Sequence, residues 1–311
     1  MKMQIKKFNL NHSLIFFLLC NLCSFIFLNI ESSVISPSIC LVLILIIGVS
    51  HGSLDHIKGK KLLKLFQLQN ILFFYLIYLT LAISVVILWV IMPMISLIIF
   101  LIVASFHFGK EDTQFLIDEN SYLNHLLFFF KGSLIILAPM YFHFNETISI
   151  FKLLLVENEF FFSFLSFVET SKILVIGMML STLASVYLFI KKFELAKFTF
   201  FFDYFSIIIL NYYFQPLLAF TIYFCFLHSI RHIISLAFEL DFKSFGNGLT
   251  IFSKKAVPLT VLTATFCLIG LYFLNNNYDL DSSILKVIFI GLASLTFPHI
   301  LLEYLIERNE K

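Results

Sequence analysis

The chain has 311 residues, of which 60% are hydrophobic and 13% charged, and its formal net charge is +2. Soluble globular domains are about 45–50% apolar and about 25% charged, so this composition excludes an ordinary soluble domain and indicates an integral membrane protein. The nearly neutral charge, without a basic stripe, also excludes a nucleic-acid-binding protein.

Ten apolar segments are long enough to cross a bilayer, because a helical span needs about 20 mostly apolar residues. In chain order they are 13–30, 34–51, 70–91, 93–109, 121–144, 171–190, 198–215, 217–239, 256–274 and 284–306. The apolar stretch 147–168 carries Lys152, Glu157 and Glu159, which favours an interfacial or re-entrant helix. The sequence predicts an all-α, polytopic integral membrane protein of eight to ten, most simply ten, transmembrane helices, forming a single domain over residues 1–311.

The basic residues predict the orientation of these spans. With the N-terminus inside, 16 of the 21 Lys and Arg residues fall in the N-terminal tail, the C-terminal tail or the loops after even-numbered spans. Such a bias is what the positive-inside rule expects of cytoplasmic segments. We therefore expect both termini to be cytoplasmic, in a multi-pass protein of the cell (inner or plasma) membrane.

Polar, metal-capable residues cluster in three places near the inner ends of spans. "GVSHGSLDH" closes the second span, "SFHFGKED" closes the fourth, and "HSIRH" lies in the eighth. All three spans run inward in the predicted orientation, so their histidines reach a similar depth. These histidines are His51, His107, His228 and His232. The last two are four residues apart and share a helix face.

Four imidazoles at one depth predict a metal site. Histidine ligands suit zinc, copper, iron and nickel, whereas magnesium and calcium prefer oxygen ligands. A structural zinc would close its tetrahedron with four ligands, while ferrous iron would keep coordination positions open for dioxygen. The residues alone leave both metals open.

Other polar residues are predicted to support these ligands. Carboxylates commonly accept the second ring N–H of a ligating histidine, and Asp55 and Glu111 are the favoured candidates, ahead of Asp112 and Glu239. The alternative is that these carboxylates are ordinary loop charges.

Two basic side chains are further candidates for support. Arg231 is expected either to pair with a carboxylate or, by default, to extend to the inner headgroups. His299 follows Pro298 in the last inward-running span and reaches the same depth, where it is expected to support the site.

Together with "FPHILLEY", the three polar stretches resemble the Brp/Blh family of membrane-bound β-carotene 15,15′-dioxygenases. The resemblance runs from about Gly48 to Tyr304, with the motifs in the same order. It implies an oxidoreductase of carotenoid catabolism and retinal biosynthesis, which uses O₂ and non-haem Fe(II) to split all-trans-β-carotene at its central double bond into two all-trans-retinal molecules. It also implies that His51, His107, His228 and His232 bind the iron, and that retinal passes to an acceptor such as a rhodopsin.

Two other classes of protein stay open on the sequence alone. A membrane metal enzyme of the desaturase or hydroxylase type would carry about eight clustered histidines for two irons. This chain has 9 histidines, several of them peripheral, and a single H-x-x-x-H pair, which favours one metal. A haem-binding or transport protein would show facing histidine pairs or inverted repeats with broken helices.

Overall fold

The structure is a computed structural model that describes residues 2–27, 36–68, 70–117 and 121–309, with the side chain of His51 left out of the description. Within these ranges every regular element is helical. The α-helices are α1 (Lys2–Phe27), α2 (Pro37–Leu43), α3 (Asp55–Leu65), α4 (Ile71–Ile91), α5 (Pro93–Glu111), α6 (Tyr122–Phe142), α7 (Phe144–Leu153), α8 (Glu159–Thr170), α9 (Ile173–Ile190), α10 (Phe198–Tyr213), α11 (Pro216–Ile222), α12 (Ile230–Leu240), α13 (Phe245–Leu274) and α14 (Leu280–Asn309). Short 3₁₀ turns cover Gln114–Leu116 and Leu195–Lys197.

Two spans contain wider or tighter helical turns. A π-helix (Ile44–Gly48) and a 3₁₀-helix (Val49–Leu54) join α2 to α3, and a second π-helix (Tyr223–Ser229) joins α11 to α12. The first of these regions is bent by 40° between Pro37–Gly48 and Gly52–Leu65.

The predicted fold class is confirmed. In the described ranges nine helices are long and apolar enough to cross a membrane, and the bent pair brings the number to ten. The stretch 147–168 forms parts of α7 and α8, which have 10 and 12 residues and are each too short to span. The cytoplasmic placement of both termini stays a prediction.

Two helices begin well before the spans predicted for them: α1 begins at Lys2 rather than at residue 13, and α13 also begins early. The predicted ninth span begins at residue 256, whereas α13 begins at Phe245, where the Ser244 hydroxyl accepts the backbone N–H of Asn247 at 3.3 Å. Its 30 residues extend about 45 Å, longer than the roughly 30 Å hydrocarbon layer. The exposed Lys254 and Lys255 therefore lie in a helical extension rather than in a loop.

The spans differ in how much of their surface is covered by protein. Of the apolar 18-residue stretches of α4 and α13, 6% and 0% of the residues are buried, and their exposed apolar side chains suit contact with lipid. In the corresponding stretch of Pro216–Leu240, 67% of the residues are buried. Helix α11, the second π-helix and α12 therefore lie at the centre of the bundle.

Helices α5 and α6 approach each other at two glycines. A Cβ at Gly109 would overlap the carbonyl oxygen of Phe128, and one at Gly132 would overlap the carbonyl oxygen of Ser105. Small residues are what allow membrane helices to pack backbone to backbone. This contact fixes the C-terminal end of α5, which carries His107.

Replacing Gly132 with alanine is expected to lower stability by about 1–3 kcal/mol, the typical cost of overpacking, because neither backbone has room to yield. The thermal midpoint of the detergent-solubilised protein, followed by size-exclusion chromatography, measures the effect. Gly270→Ala is the matched control, since a Cβ at this helical position meets nothing within 4 Å. Equal midpoints for both variants would contradict the close crossing.

Candidate metal centre

His107 lies in the last two turns of α5 and is 5% exposed. Its ring centroid is 5.5 Å from that of His228 and 5.5 Å from that of His299. His232 joins the same group, with its ring 5.8 Å from His299. The structure therefore brings four described histidines from α5, the second π-helix, α12 and α14 into one cluster.

The second π-helix carries His228. π-Helical turns are uncommon and frequently mark functional sites, because they shift the register of the side chains that follow. The Nε2 atom of His12 on α1 donates to the Phe226 carbonyl at 2.8 Å and so anchors this wider turn. The rings of Phe108 and Phe224 lie 4.8 and 5.8 Å from that of His228 and keep its surroundings apolar.

Two consecutive carboxylates orient the two histidines of "HSIRH". The Nδ1 atom of His228 lies 3.3 Å from an Asp112 carboxylate oxygen, and Nδ1 of His232 lies 3.3 Å from Glu111. An ionised carboxylate only accepts hydrogen bonds, so each Nδ1 carries the proton and each Nε2 offers its lone pair. Metal-binding histidines usually donate their other ring N–H to a carboxylate in this way.

A third carboxylate holds His299. Asp55, at the start of α3, accepts the Nδ1–H of His299 at 2.8 Å and the hydroxyl of Tyr78 at 2.9 Å. Asp55 and His299 are 5% and 4% exposed. Asp55 was expected to accept a ring N–H of one of the predicted ligands, and in the structure it reaches across the bundle to His299 in the last span.

Glu303 joins the cluster from one turn beyond His299 on α14. Ligand atoms of His107, His299 and Glu303 lie within 4.8 Å of one another, and so do those of Glu111, His232 and Glu303. The Oε1 atom of Glu303 is 3.6 Å from Nε2 of His299. Either group has the donor types and the spacing to hold a metal ion.

The segment that carries His51 lies beside His228, although the His51 side chain is outside the described part of the structure. The hydroxyl of Ser229 donates to the Gly48 carbonyl at 3.4 Å. A Cβ at Gly48 would lie 2.5 Å from the ring of Phe224, so only glycine lets the two π-helices meet this closely. The proposed role of His51 as a ligand stays a prediction.

The default expectation, that Arg231 extends to the headgroups, is wrong. The alternative, pairing with a carboxylate, is what the structure has. Arg231 is 2% exposed and donates to both carboxylate oxygens of Asp203 on α10, at 2.9 and 2.8 Å, and to the hydroxyl of Ser13 on α1 at 2.7 Å. It also lies 3.3 Å from an Asp112 oxygen. Buried partners make pairing cheaper than withdrawal to the surface, and the pair fixes the helix between His228 and His232.

The structure adds residues that sequence reasoning had missed or ranked low. Asp112 contacts His228, and Tyr223 donates its hydroxyl to Asp112 at 2.7 Å. The sequence pointed to Asp203 only as a carboxylate within the predicted span 198–215. Glu303 was visible in "FPHILLEY", four residues after His299, which is the helical spacing for one face. Glu239 lines the polar cavity beside the cluster without contacting a described histidine.

Fold and site together define a polytopic helical membrane protein with a buried cluster of histidines whose rings are oriented by carboxylates. The family model described as beta-carotene 15,15′-dioxygenase matches residues 42–307, and the chain belongs to that family. It is therefore an enzyme, an oxidoreductase of the dioxygenase type. The resemblance drawn from the four motifs is confirmed.

A curated relative supports the same assignment. The chain is 30% identical over 277 residues to a protein named beta-carotene 15,15′-dioxygenase from an uncultured marine bacterium (66A03). The matched region covers 84% of this chain and 90% of the relative. No solved structure matches the chain significantly.

Proposed function

We propose that this protein is a non-haem iron(II) dioxygenase that cleaves all-trans-β-carotene at its 15,15′ double bond with O₂ to give two all-trans-retinal molecules. The observation that carries the proposal is the meeting of carboxylate-oriented imidazoles at one buried point, in a chain that belongs to this family.

The donor set fits iron(II). Imidazole nitrogens are good ligands for iron, and the carboxylates at Nδ1 leave the Nε2 atoms of His228 and His232 as the donors. In the proposal His51, His107, His228 and His232 hold the metal. Bound there, iron would activate dioxygen beside the central double bond of the carotenoid.

The protein's own residues orient these ligands and limit access of water. Asp112 and Glu111 fix the ring orientation of His228 and His232. Phe108 and Phe224 pack around His228 and exclude water from that side, which protects reactive species from side reactions. Because both atoms of O₂ end in the two aldehydes, the reaction needs no external reductant.

The surroundings of the site suit a substrate dissolved in lipid. β-Carotene is long and apolar, and the outer helices α4 and α13 present apolar surfaces to the membrane. We propose a multi-pass protein of the cell membrane with both termini cytoplasmic. Its product, retinal, would pass through the lipid to an acceptor such as a rhodopsin.

The test uses a bacterial host engineered to accumulate β-carotene. Expression of the wild-type chain is expected to yield retinal, measured by chromatography of the extracts, whereas the empty vector and His228→Ala yield none. Immunoblots of the membrane fraction confirm equal amounts of both proteins. Intact β-carotene beside well-expressed wild-type protein would contradict the proposed substrate, and a panel of other carotenoids in the same host would then identify the preferred one.

A further inference from the structure

A lysine–glutamate pair forms part of the wall of the histidine cluster. Lys58 on α3 places its Nζ atom 2.7 Å from Oε1 of Glu303 on α14, and the two side chains are 23% and 13% exposed. Asp55 and His299, each about one turn earlier on the same two helices, form the parallel pair described above. Helices α3 and α14 are thus joined by two charged contacts that both end at the site.

Glu303 holds a central position within the cluster. Among the described residues it is the member shared by the two groups of possible metal ligands, His107 with His299 and Glu111 with His232. One carboxylate therefore places oxygen within 4.8 Å of ring nitrogens of histidines from α5, α12 and α14.

The charge balance of the site gives this carboxylate a role. Four neutral imidazoles bring no negative charge into direct contact with a ferrous ion, and a buried cation is stable only when it is paired. Glu303 can supply the negative charge, and its oxygen already attracts a cation, the Lys58 ammonium. A metal ion and this ammonium would compete for the same oxygen.

We propose that Glu303 is an anionic ligand of the metal and that Lys58 is the counter-ion that the metal displaces on binding. The inference rests on the proposed iron centre and adds a carboxylate to its four histidines. In the metal-free protein the Lys58 ammonium then balances the charge of the Glu303 carboxylate. Because it competes with the metal for this carboxylate, it lowers the metal affinity of the site.

A polar cavity offers room for this exchange. It has a volume of about 80 Å³ and is lined by Lys58, Glu111, Glu239, Glu303, His228 and His232, among others. A hydrated metal ion can approach through this cavity, and the displaced ammonium can turn toward Glu111 or Glu239. The lysine stem has four rotatable carbons, which makes such a movement inexpensive.

Cobalt(II) titration of the purified, chelator-treated protein in detergent tests the proposal. Binding is read from the d–d absorption of the ion and does not depend on catalysis. Glu303→Gln is expected to weaken cobalt(II) binding by about 100-fold or more, since even residues that only hydrogen-bond to a ligand contribute about 10–100-fold. Lys58→Met is expected to tighten it by about three- to tenfold, because a competing, partly buried ion pair has been removed.

A second lysine–glutamate pair, between α5 and α14, provides the matched control. Lys110 lies 2.5 Å from Glu307, one turn beyond Glu303, and neither residue belongs to the groups of possible ligands. Glu307→Gln and Lys110→Met should leave cobalt(II) affinity unchanged. Glu303→Asp covers the case in which the glutamine variant fails to fold, because it keeps the charge for Lys58 but withdraws the carboxylate, and it should also lose affinity.

The outcomes separate this inference from the proposed function. Absence of cobalt(II) binding by the wild-type protein would overturn the metal centre itself. Wild-type binding with unchanged affinity in the folded Glu303 variants would overturn the carboxylate ligand while leaving the histidine site. Unchanged affinity in Lys58→Met would overturn the competition.

Discussion

Replacing His232 with alanine is expected to lower retinal formation by more than about 100-fold while the protein remains inserted in the membrane. His232 is 8% exposed, and its Nδ1 is held by Glu111, so the change removes a donor atom and leaves the fold of α12 in place. Loss of the partner alone typically costs 10–100-fold in metal affinity, and loss of the ligand should cost more. Retinal in extracts of the β-carotene-accumulating host measures the activity.

Two further variants test whether the loss of activity comes from the lost metal ligand. Glu111→Ala keeps the imidazole of His232 but frees its ring, so its activity should fall between those of the wild type and His232→Ala. His143→Ala is the control, because His143 follows the C-terminus of α6, far from the contact of that helix with Gly109. Near-normal turnover by membrane-inserted His232→Ala would show that His232 does not hold the metal.

The fold could be predicted largely from local sequence. Hydrophobic length fixes a transmembrane helix almost by itself, because the bilayer has one thickness and every backbone polar group must be satisfied within the helix. The ends of the helices were less accurate. The start of α13 depends on capping by Ser244 outside the apolar segment, which hydropathy does not register.

The histidine cluster was predictable because depth can be read from the sequence. Spans that run in the same direction place residues near their inner ends at one level, and His107, His228 and His232 meet there in the structure. Which side chains touch at that level depends on the lateral order of the helices. The pairing of Asp55 with His299 is of this kind, since 244 residues separate them.

Local distortions were also beyond sequence reasoning. The two π-helices change the register at the segments that carry His51 and His228, and they arise where two spans pack closely at Gly48 and Phe224. The Nδ1 atoms of His228 and His232 contact different carboxylates, Asp112 and Glu111, that are adjacent in the chain.

The polar network behind the histidines explains why "HSIRH" contains an arginine. Arg231 makes a two-pronged contact with Asp203, is bonded to Ser13, and stacks over the ring of Phe115 at 5.5 Å. Its guanidinium thereby ties α12 to α1 and α10. Since both neighbouring histidines lie on the same stretch of helix, this anchor sets how deeply their rings reach into the site.

Removing Arg231 is therefore expected to destabilise the protein more than breaking a surface ion pair would. Arg231→Met leaves Asp203 and Asp112, both buried, without their shared cation, and breaking a buried pair costs about 3–5 kcal/mol. Asp203→Asn should cost less, because Arg231 keeps Asp112 at 3.3 Å. The thermal unfolding midpoint of each variant in detergent shows which variant loses more stability.

A paired replacement and a surface control complete this test. In Arg231→Met/Asp203→Leu one buried carboxylate is lost together with the arginine, so the double variant should regain part of the stability that Arg231→Met loses. Glu194→Gln, which breaks the partly exposed Lys6–Glu194 pair, should change stability by less than about 1 kcal/mol. A double variant no more stable than Arg231→Met would mean that the arginine acts through its packing and its bond to Ser13, and that the charge of Asp203 contributes little.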